Sequence, residues 1–195
     1  VKGVVLYLCL EDSPRRLQDR LKRMGCDDLT NIVFAFDWPK LNAGGNVALV
    51  KRIEADHPRL VIVDTVGRAF GGVLDWNDYG TTTRILAPLQ EMALKQRMTV
   101  QLVDHQRKLN GQQESDPVEE SIGSTGKAAV MDTLWGLYRK RGQKDATLKA
   151  VGRDLEEQSL ALGLNAETLL WTCKGEVMEV KRKGLADDIL EWLDQ

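Results

Sequence analysis

The chain of 195 residues is long enough to bury one sizeable hydrophobic core, so we expect one domain with at most a short appendage. Its net charge of −2 supplies no global field that attracts nucleic acid or a membrane surface, so either partner would require a local patch. The three cysteines are scattered without Cys-x-x-Cys spacing, and no apolar run reaches the ~18–20 residues of a membrane span, which predicts a reduced cytoplasmic protein without disulfides.

Four short apolar runs in the first half of the chain predict strands buried on both faces. They are VVLYLCL, NIVFAF, LVIVDT and TVQLVD, which begin at Val4, Asn31, Leu60 and Thr99. A helical pattern follows each of the first three, and the last of these patterns, over residues 79–97, contains Pro88 as either a kink or a restart. This β-α alternation predicts an α/β fold, with a mainly parallel sheet, right-handed crossovers and helices on both faces.

The pattern changes after the fourth strand. Residues 109–121 are polar and turn-rich, which predicts a mobile loop, and a short helix is expected around residues 124–132. The runs TLWGLYRKR, ATLKAVGRD, SLALGLN and TLLWTCK predict an antiparallel extension of the sheet. We expect a core over residues 1–174, and a linker with an amphipathic helix over residues 175–195.

The stretch SIGSTGKAAV, Ser121 to Val130, resembles a phosphate-binding loop but lacks two of its required residues. The Walker A loop needs Gly, four residues, Gly-Lys, and then Ser or Thr. Ser121 stands where the first glycine belongs, and Ala128 follows Lys127 in place of the hydroxyl that reaches Mg²⁺. This stretch is therefore not predicted to hold phosphates as a Walker A loop does.

Polar residues stand at the ends of three of the predicted strands, where ligands bind in open parallel sheets. They are Glu11, Asp64 with Thr65, and His105. LVIVDT has the Walker B pattern, in which the aspartate holds the Mg²⁺ of a bound nucleotide. Each residue also has a simpler interpretation: Asp64 as a helix cap, Glu11 as part of an ordinary helix start, and His105 as a structural histidine.

Several cations are candidates for contacts with phosphate groups. Arg153 follows an alternating strand and is either a solvated arginine or a cation presented to a neighbouring subunit, the arginine-finger role. Arg107, Lys108 and Lys127 flank the predicted loop and are either ordinary surface charges or contacts to a nucleic-acid backbone.

The order of these motifs resembles one family. VLYLCLEDSPRRLQDRL, LVIVDTVGRAFGG, LVDHQRK, GSTGKAAVMDT and VGRDLEEQSLAL, between about Val4 and Gly175, are together similar to the RecA-like AAA-type ATPase domain of RepA-like plasmid and phage replicative helicases. The resemblance implies ATP and Mg²⁺ as cofactors, single-stranded DNA as partner, and a homo-oligomer in the form of a hexameric ring.

The same resemblance implies a role for each candidate. Glu11 would be the general base that polarises the attacking water, and His105 would sense the γ-phosphate. Arg153 would reach into the site of the adjacent protomer. Asp64 would bind Mg²⁺, and the remaining cofactor-binding positions would be Thr65, Ser124 and Thr125.

Two departures from the family pattern lead to further expectations. The family's phosphate loop lies before the strand that begins this chain, so we expect a fragment with negligible ATP hydrolysis and an unpaired position beside TVQLVD. The loop also carries Glu114, Asp116, Glu119 and Glu120, which shifts any DNA contact to Arg107, Lys108 and Lys127. Two alternatives remain open: a RecA-like recombination or repair regulator, and a non-catalytic assembly module that has lost its phosphate loop.

Overall fold

In a computed structural model of the chain, the described residues are 3–72, 75–76, 78–105 and 125–183. They form two compact units. The first unit contains the described residues up to 105 together with residues 125–131, and the second unit contains residues 132–183. Among these residues, no helix combines the length and the apolar character needed to cross a membrane.

The first unit is built on a parallel sheet of four strands, as the alternating pattern predicts. The strands are β1 (Val5–Cys9), β2 (Ile32–Ala35), β3 (Leu60–Asp64) and β4 (Thr99–Val103). Their order in the sheet is β2-β1-β3-β4, and every pairing is parallel. Because β1 and β3 are neighbours, the residues that follow them reach the same edge of the sheet.

Helices connect these strands at the expected positions. They are α1 (Pro14–Arg23), α2 (Asn46–Asp56), α3 (Val66–Ala69), α4 (Tyr79–Gln96) and α5 (Thr125–Val130). The Ser13 side chain caps α1 by accepting a hydrogen bond from the Arg16 amide at 3.4 Å. Helix α4 is one element through Pro88, so the predicted restart at that residue does not occur.

The strand order places helices on both faces of the sheet, which confirms the predicted α/β fold. The step from β1 to β2 runs in one direction across the sheet, and the steps to β3 and β4 run in the other. Right-handed crossovers therefore put α1 on one face and α2 and α4 on the opposite face. The buried core agrees: Leu6 and Val63 of the sheet belong to one cluster with Leu49 of α2 and Leu86 of α4.

The fourth strand lies at an edge of the parallel sheet. Within the described part of the chain, β4 pairs with β3 alone. The expectation of an unpaired position beside TVQLVD agrees with this order. An unpaired strand edge exposes a row of backbone donors and acceptors that another strand can use.

A wide turn after β2 is joined to the segment after β3. The turn, Leu41–Gly45, has π-helical hydrogen bonding and leads directly into α2. Asn42 donates from Nδ2 to the Gly71 carbonyl at 2.8 Å and accepts from the Gly71 amide at 2.9 Å. A Cβ atom at Gly45 would lie 2.1 Å from the Pro39 carbonyl oxygen, so this close turn requires glycine. Sequence reasoning predicted neither this turn nor α3.

The second unit is an antiparallel meander of four strands. They are β5 (Thr133–Tyr138), β6 (Asp145–Gly152), β7 (Leu155–Leu164) and β8 (Trp171–Glu176), in the order β5-β6-β7-β8. The predicted antiparallel strands are therefore confirmed, but they pair with one another as a separate sheet instead of extending the parallel one. Residues 177–183 are helical, whereas the helix predicted for the tail lies outside the described residues. The division into residues 1–174 and 175–195 stays a prediction.

Candidate active site

The candidate site lies at the carboxyl edge of the parallel sheet, where β1 and β3 end side by side. Cys9 of β1 is in register with Asp64 of β3, and the Leu10 amide donates to the Asp64 carbonyl at 2.7 Å. Glu11 and Thr65 follow directly after these positions. The next strand, β4, ends two residues before His105. Three elements far apart in the chain thus deliver polar side chains to one edge.

Glu11 is the centre of a three-residue cluster at this edge. Thr65 Oγ1 donates a hydrogen bond to Glu11 Oε2 at 2.8 Å, and His105 Nε2 lies 3.5 Å from the same oxygen. The Thr65 hydrogen bond, helped by the nearby His105, lowers the pKa of Glu11 below its usual range, so this carboxyl is ionised at neutral pH. The structure thus brings together Glu11 and His105, two of the residues that the sequence places at strand ends.

Asp64 is held by a residue that sequence reasoning missed. The hydroxyl of Tyr7 donates to Asp64 Oδ2 at 2.7 Å. Burial, followed by this contact with the Asp64 carboxylate, raises the pKa of Tyr7, so its hydroxyl keeps its proton and remains a donor. Tyr7 and Cys9 are two apart on β1 and therefore lie on the same face of the sheet as Asp64. The sequence feature that could have identified Tyr7 is its alternation with Cys9 along β1, combined with the pairing of β1 and β3.

On each of the two neighbouring strand segments, a hydroxyl group donates a hydrogen bond to the carboxylate of the other segment. Tyr7 of β1 holds Asp64 of β3, and Thr65, after β3, holds Glu11, after β1. Each contact links residues more than fifty positions apart in the chain. We call these four residues the crossed hydroxyl pairs. The arrangement fixes both acidic groups at neighbouring strand ends, while Glu11 remains accessible to solvent.

Other groups near the cluster adjust its electrostatics. The exposed Arg68, in α3, adds a weaker positive influence that also lowers the pKa of Glu11. Lys40 donates from Nζ to the Arg68 carbonyl, which ties the segment before the π-helical turn to α3. Burial raises the pKa of the Cys9 thiol, so Cys9 is a neutral packing residue beside the site.

Lys127 is buried and paired with a carboxylate, whereas its predicted contact with nucleic acid requires an exposed side chain. Its side chain is buried, with a relative exposure of 7% for the residue, and its Nζ forms an ion pair with Asp104 Oδ2. The same Nζ lies 4.9 Å from the centre of the Trp76 ring. These contacts favour a structural role for Lys127, since a phosphate group would have to displace Asp104.

The remaining predicted residues lie elsewhere. Arg153 follows β6 in the second unit, where its Nη1 lies 3.7 Å from Asp132 Oδ1 and its backbone amide donates to the Asp132 carbonyl at 3.0 Å. Thr125 begins α5. The predicted positions Arg107, Lys108 and Ser124 lie outside the described residues.

The donor groups at this edge suit Mg²⁺ bound together with phosphate groups. In the described part of the chain, no three His, Cys, Asp or Glu residues form a cluster that could hold a metal by themselves. Mg²⁺ in nucleotide sites commonly uses one or two carboxylates, with water and phosphate oxygens completing its shell. Asp64 and the ionised Glu11 supply oxygens of this kind, and Tyr7 occupies only one oxygen of Asp64. Asp64 and Glu11 therefore fit the Mg²⁺ ion that the Walker B pattern and the family resemblance implied.

Comparisons with known proteins agree with this architecture. Among solved structures, the chain is similar to one described as an ATPase domain, with a TM-score of 0.67 and 15% identity over 87% of this chain and 74% of that chain. This likeness shows a RecA-like α/β fold. No curated protein was found to be similar in sequence. The profile of one family, described as AAA domain, matches residues 1–111. Since that match covers more than half of the 195 residues, the chain belongs to the AAA domain family.

Proposed function

We propose that the chain is the ATPase core of a ring-forming DNA helicase, similar to the RepA-like replicative helicases, in which ATP hydrolysis drives movement along single-stranded DNA. The observation that carries this proposal is the cluster of Glu11, Thr65 and His105 beside Asp64. It unites an ionised carboxylate, a second carboxylate on a Walker B strand and an imidazole at one sheet edge. A carboxylate that orients water and a carboxylate that binds Mg²⁺ are two of the parts that phosphoryl transfer to water requires.

Glu11 is proposed as the general base. The Thr65 hydroxyl lowers the pKa of Glu11 and holds its carboxylate in the ionised form, in which it can orient a water molecule for attack. Thr65 is suited to holding the carboxylate, because its own hydroxyl donates to Oε2 and leaves the other Glu11 oxygen available. This assigns Thr65 to positioning Glu11 in addition to its predicted place near the cofactor.

Asp64 is proposed to hold Mg²⁺, with Tyr7 fixing its orientation. The ion would neutralise negative charge on the β- and γ-phosphate oxygens. His105 is largely exposed, with 73% of its side chain accessible, so it can contact both Glu11 and a terminal phosphate. Arg153 is proposed to act on the site of an adjacent protomer, as the family resemblance implies.

The proposal includes an incomplete nucleotide site in the chain as given. Its sequence contains no Gly-x-x-x-x-Gly-Lys-Ser/Thr motif, and backbone amides with that lysine supply much of the phosphate affinity in related sites. The edge of β4 that pairs with no described strand supports this proposal, because the family resemblance implies that the strand leading into the phosphate loop pairs there. We therefore expect negligible hydrolysis of ATP by these 195 residues alone.

A steady-state phosphate-release assay tests this proposal. The isolated chain should release phosphate far below about 1 s⁻¹, the lower end of ordinary enzyme turnover. A form of the protein that carries a Walker A segment should hydrolyse ATP, and Glu11→Gln in that form should abolish hydrolysis while retaining nucleotide binding. Rapid turnover by the isolated chain would contradict the incomplete site, and an active Glu11→Gln variant would remove Glu11 from the mechanism.

The lack of a Walker A motif within this sequence also favours a second candidate, a non-catalytic assembly module with the same fold. This module would use its free strand edge for pairing with another chain, without nucleotide. Equilibrium binding of a fluorescent ATP analogue separates the two candidates. Failure to bind nucleotide even in a form that carries a Walker A segment would favour the assembly module.

A further inference from the structure

The turn between β5 and β6 concentrates positive charge at one end of the second unit. The Gln143 amide donates to the Lys140 carbonyl at 3.1 Å and closes a tight turn. The turn contains Gly142 at a positive φ of 84°. Four exposed cations surround it, namely Arg139, Lys140, Arg141 and Lys144. Within the described part of the chain, no carboxylate lies within ion-pair distance of any of these four.

Four acidic residues of the second unit lie at the opposite end of its sheet, while Asp145 and Glu167 lie at the basic end. Asp132, Asp154, Glu156 and Glu157 flank the turn between β6 and β7. At the basic end, Asp145 is already paired with Lys174 at 2.6 Å. The turn after β7 lies beside the basic turn, because the Leu164 amide donates to the Lys144 carbonyl. A protein with a net charge of only −2 therefore carries a local basic patch.

Aromatic rings accompany these cations on one face of the same sheet. Trp135 and Trp171 lie on one face, because Trp135 is in register with Ala150, which is in register with Gln158 of β7, and Leu164, on the same face of β7 as Gln158, is in register with Trp171. The Arg139 guanidinium carbon lies 6.0 Å from the ring centre of Trp171, at the start of β8. Trp135 is 66% exposed and Trp171 is 37% exposed, although tryptophan usually buries most of its surface. We call Trp135, Trp171 and the four cations the basic-aromatic surface.

We propose that the basic-aromatic surface binds single-stranded nucleic acid, with the cations of the β5–β6 turn contacting phosphates and Trp135 stacking on a base. Single-strand binding surfaces combine a cationic track with aromatic side chains in this way. An acidic protein partner would also use both the cations and an exposed indole, so the experiment below includes a competitor that separates it from nucleic acid. All four cations lie between the end of β5 and the start of β6, and all four are exposed. The proposal takes DNA as the nucleic acid from the proposed function.

Fluorescence anisotropy with a labelled oligothymidylate of about 20 nucleotides, without ATP and over a series of salt concentrations, tests this surface. The triple change Lys140→Gln, Arg141→Gln and Lys144→Gln should lower the affinity at least tenfold. It should also reduce the salt slope by about 2, since each phosphate contact to a single strand contributes about 0.7. Trp135→Ala should weaken binding about fivefold or more, and Trp135→Phe should restore most of the loss.

A matched control changes three exposed cations of the first unit, Arg15→Gln, Lys22→Gln and Lys51→Gln. Both triple variants lower the net charge equally, so an equal loss of affinity would overturn the proposal. Competition by polyglutamate at equal charge concentration, together with an unaffected Trp135→Ala variant, would instead identify an acidic-protein surface and also overturn it. Circular dichroism confirms that each variant is folded. The anisotropy assay contains no nucleotide, so a failed ATPase assay does not change its result. A failed anisotropy assay likewise does not contradict the proposed ATPase function.

Discussion

Single hydroxyl groups hold the acidic residues of the candidate active site. In the crossed hydroxyl pairs, Thr65 donates to Glu11 and Tyr7 donates to Asp64. Among the described residues, no lysine or arginine forms an ion pair with either carboxylate. A neutral donor stabilises the ionised form of a carboxylate while leaving the local charge negative. This arrangement suits a base and a metal ligand, because neither acidic group is neutralised by a permanent ion pair.

The pKa of Glu11 should depend on Thr65. Thr65→Val removes the hydroxyl but keeps the shape of the side chain, so the pKa of Glu11 should rise toward about 4.3, its value in unstructured peptides. The carboxyl carbon shift of Glu11, followed by NMR from strongly acidic to neutral pH, measures this change. Thr65→Ser keeps the donor and should leave the pKa low. An unchanged titration in Thr65→Val would show that another group sets the pKa.

The same hydrogen bond links stability to pH. The folded-state pKa of Glu11 is lowered, so its stabilising contribution is present above the unfolded pKa and is lost as the pH falls through the folded value. The wild-type protein should therefore lose more stability than Thr65→Val on acidification below about pH 4.3. Urea denaturation of both proteins at neutral pH and again well below that value measures the two differences.

At the scale of elements, the ion pair of the buried Lys127 with the partly exposed Asp104 joins α5 to the end of β4. Asp104 directly precedes His105, so this pair also fixes the backbone from which the imidazole reaches Glu11. Lys127 is the more deeply buried partner, and the Trp76 ring covers its ammonium. A buried ammonium is costly unless a negative group compensates for it.

Asp104→Asn should destabilise the first unit more than Lys127→Met. The first change leaves a buried ammonium without its anion, which costs about 1–3 kcal/mol, whereas the second replaces the charge with an apolar chain and leaves a partly exposed carboxylate. Thermal and urea denaturation of both variants measure the difference. An equal or reversed order would show that the ion pair contributes little, and would return Lys127 to its predicted place among the cations available to a nucleic acid.

The elements differ in how far the sequence could predict them. The parallel strands were predictable because their apolar runs are continuous, and the edge that carries Glu11, Asp64 and His105 followed from the rule that ligands bind beyond strand ends. The π-helical turn could not be predicted in this way, because it is held by the contact between Asn42 and Gly71, which are 29 positions apart. Local patterns contain no information on such distant hydrogen bonds.

Contacts between residues distant in the sequence also explain why the hydrogen bond of Tyr7 and the burial of Lys127 were not predicted. Tyr7 lies inside an apolar run, so the sequence alone indicated a packing residue, and only the pairing of β1 with β3 places its hydroxyl beside Asp64. Lys127 was expected at the surface because it follows a polar, turn-rich stretch. Its burial results from Asp104 and Trp76, which are distant in the sequence.

At the scale of the whole molecule, the proposed function divides one catalytic site between two protomers. Glu11 belongs to the first unit and Arg153 to the second. In a form of the protein that carries a Walker A segment, Glu11→Gln and Arg153→Ala should each abolish ATP hydrolysis when assayed alone. Mixing the two variants should restore part of the activity, because some interfaces then pair an intact base with an intact arginine.

A phosphate-release assay on mixtures of varied ratio measures this restoration. Wild-type protein at matched total concentration provides the upper reference. Full activity of Arg153→Ala alone would show that Arg153 is only a surface residue whose contact with Asp132 stabilises the β6–β7 turn. Two inactive variants that stay inactive in every mixture would instead place both residues in the same protomer's site.

The separation of charge along the second sheet gives this unit an electric dipole moment. Cations outnumber Asp145 and Glu167 around the β5–β6 turn, and carboxylates outnumber Arg153 around the β6–β7 turn. The two ends of this short meander therefore have opposite polarity. In dilute salt, such a dipole turns a diffusing molecule before any contact forms and raises the fraction of productive collisions with a polyanion. A balanced total charge therefore does not prevent this protein from approaching a polyanion in a preferred orientation.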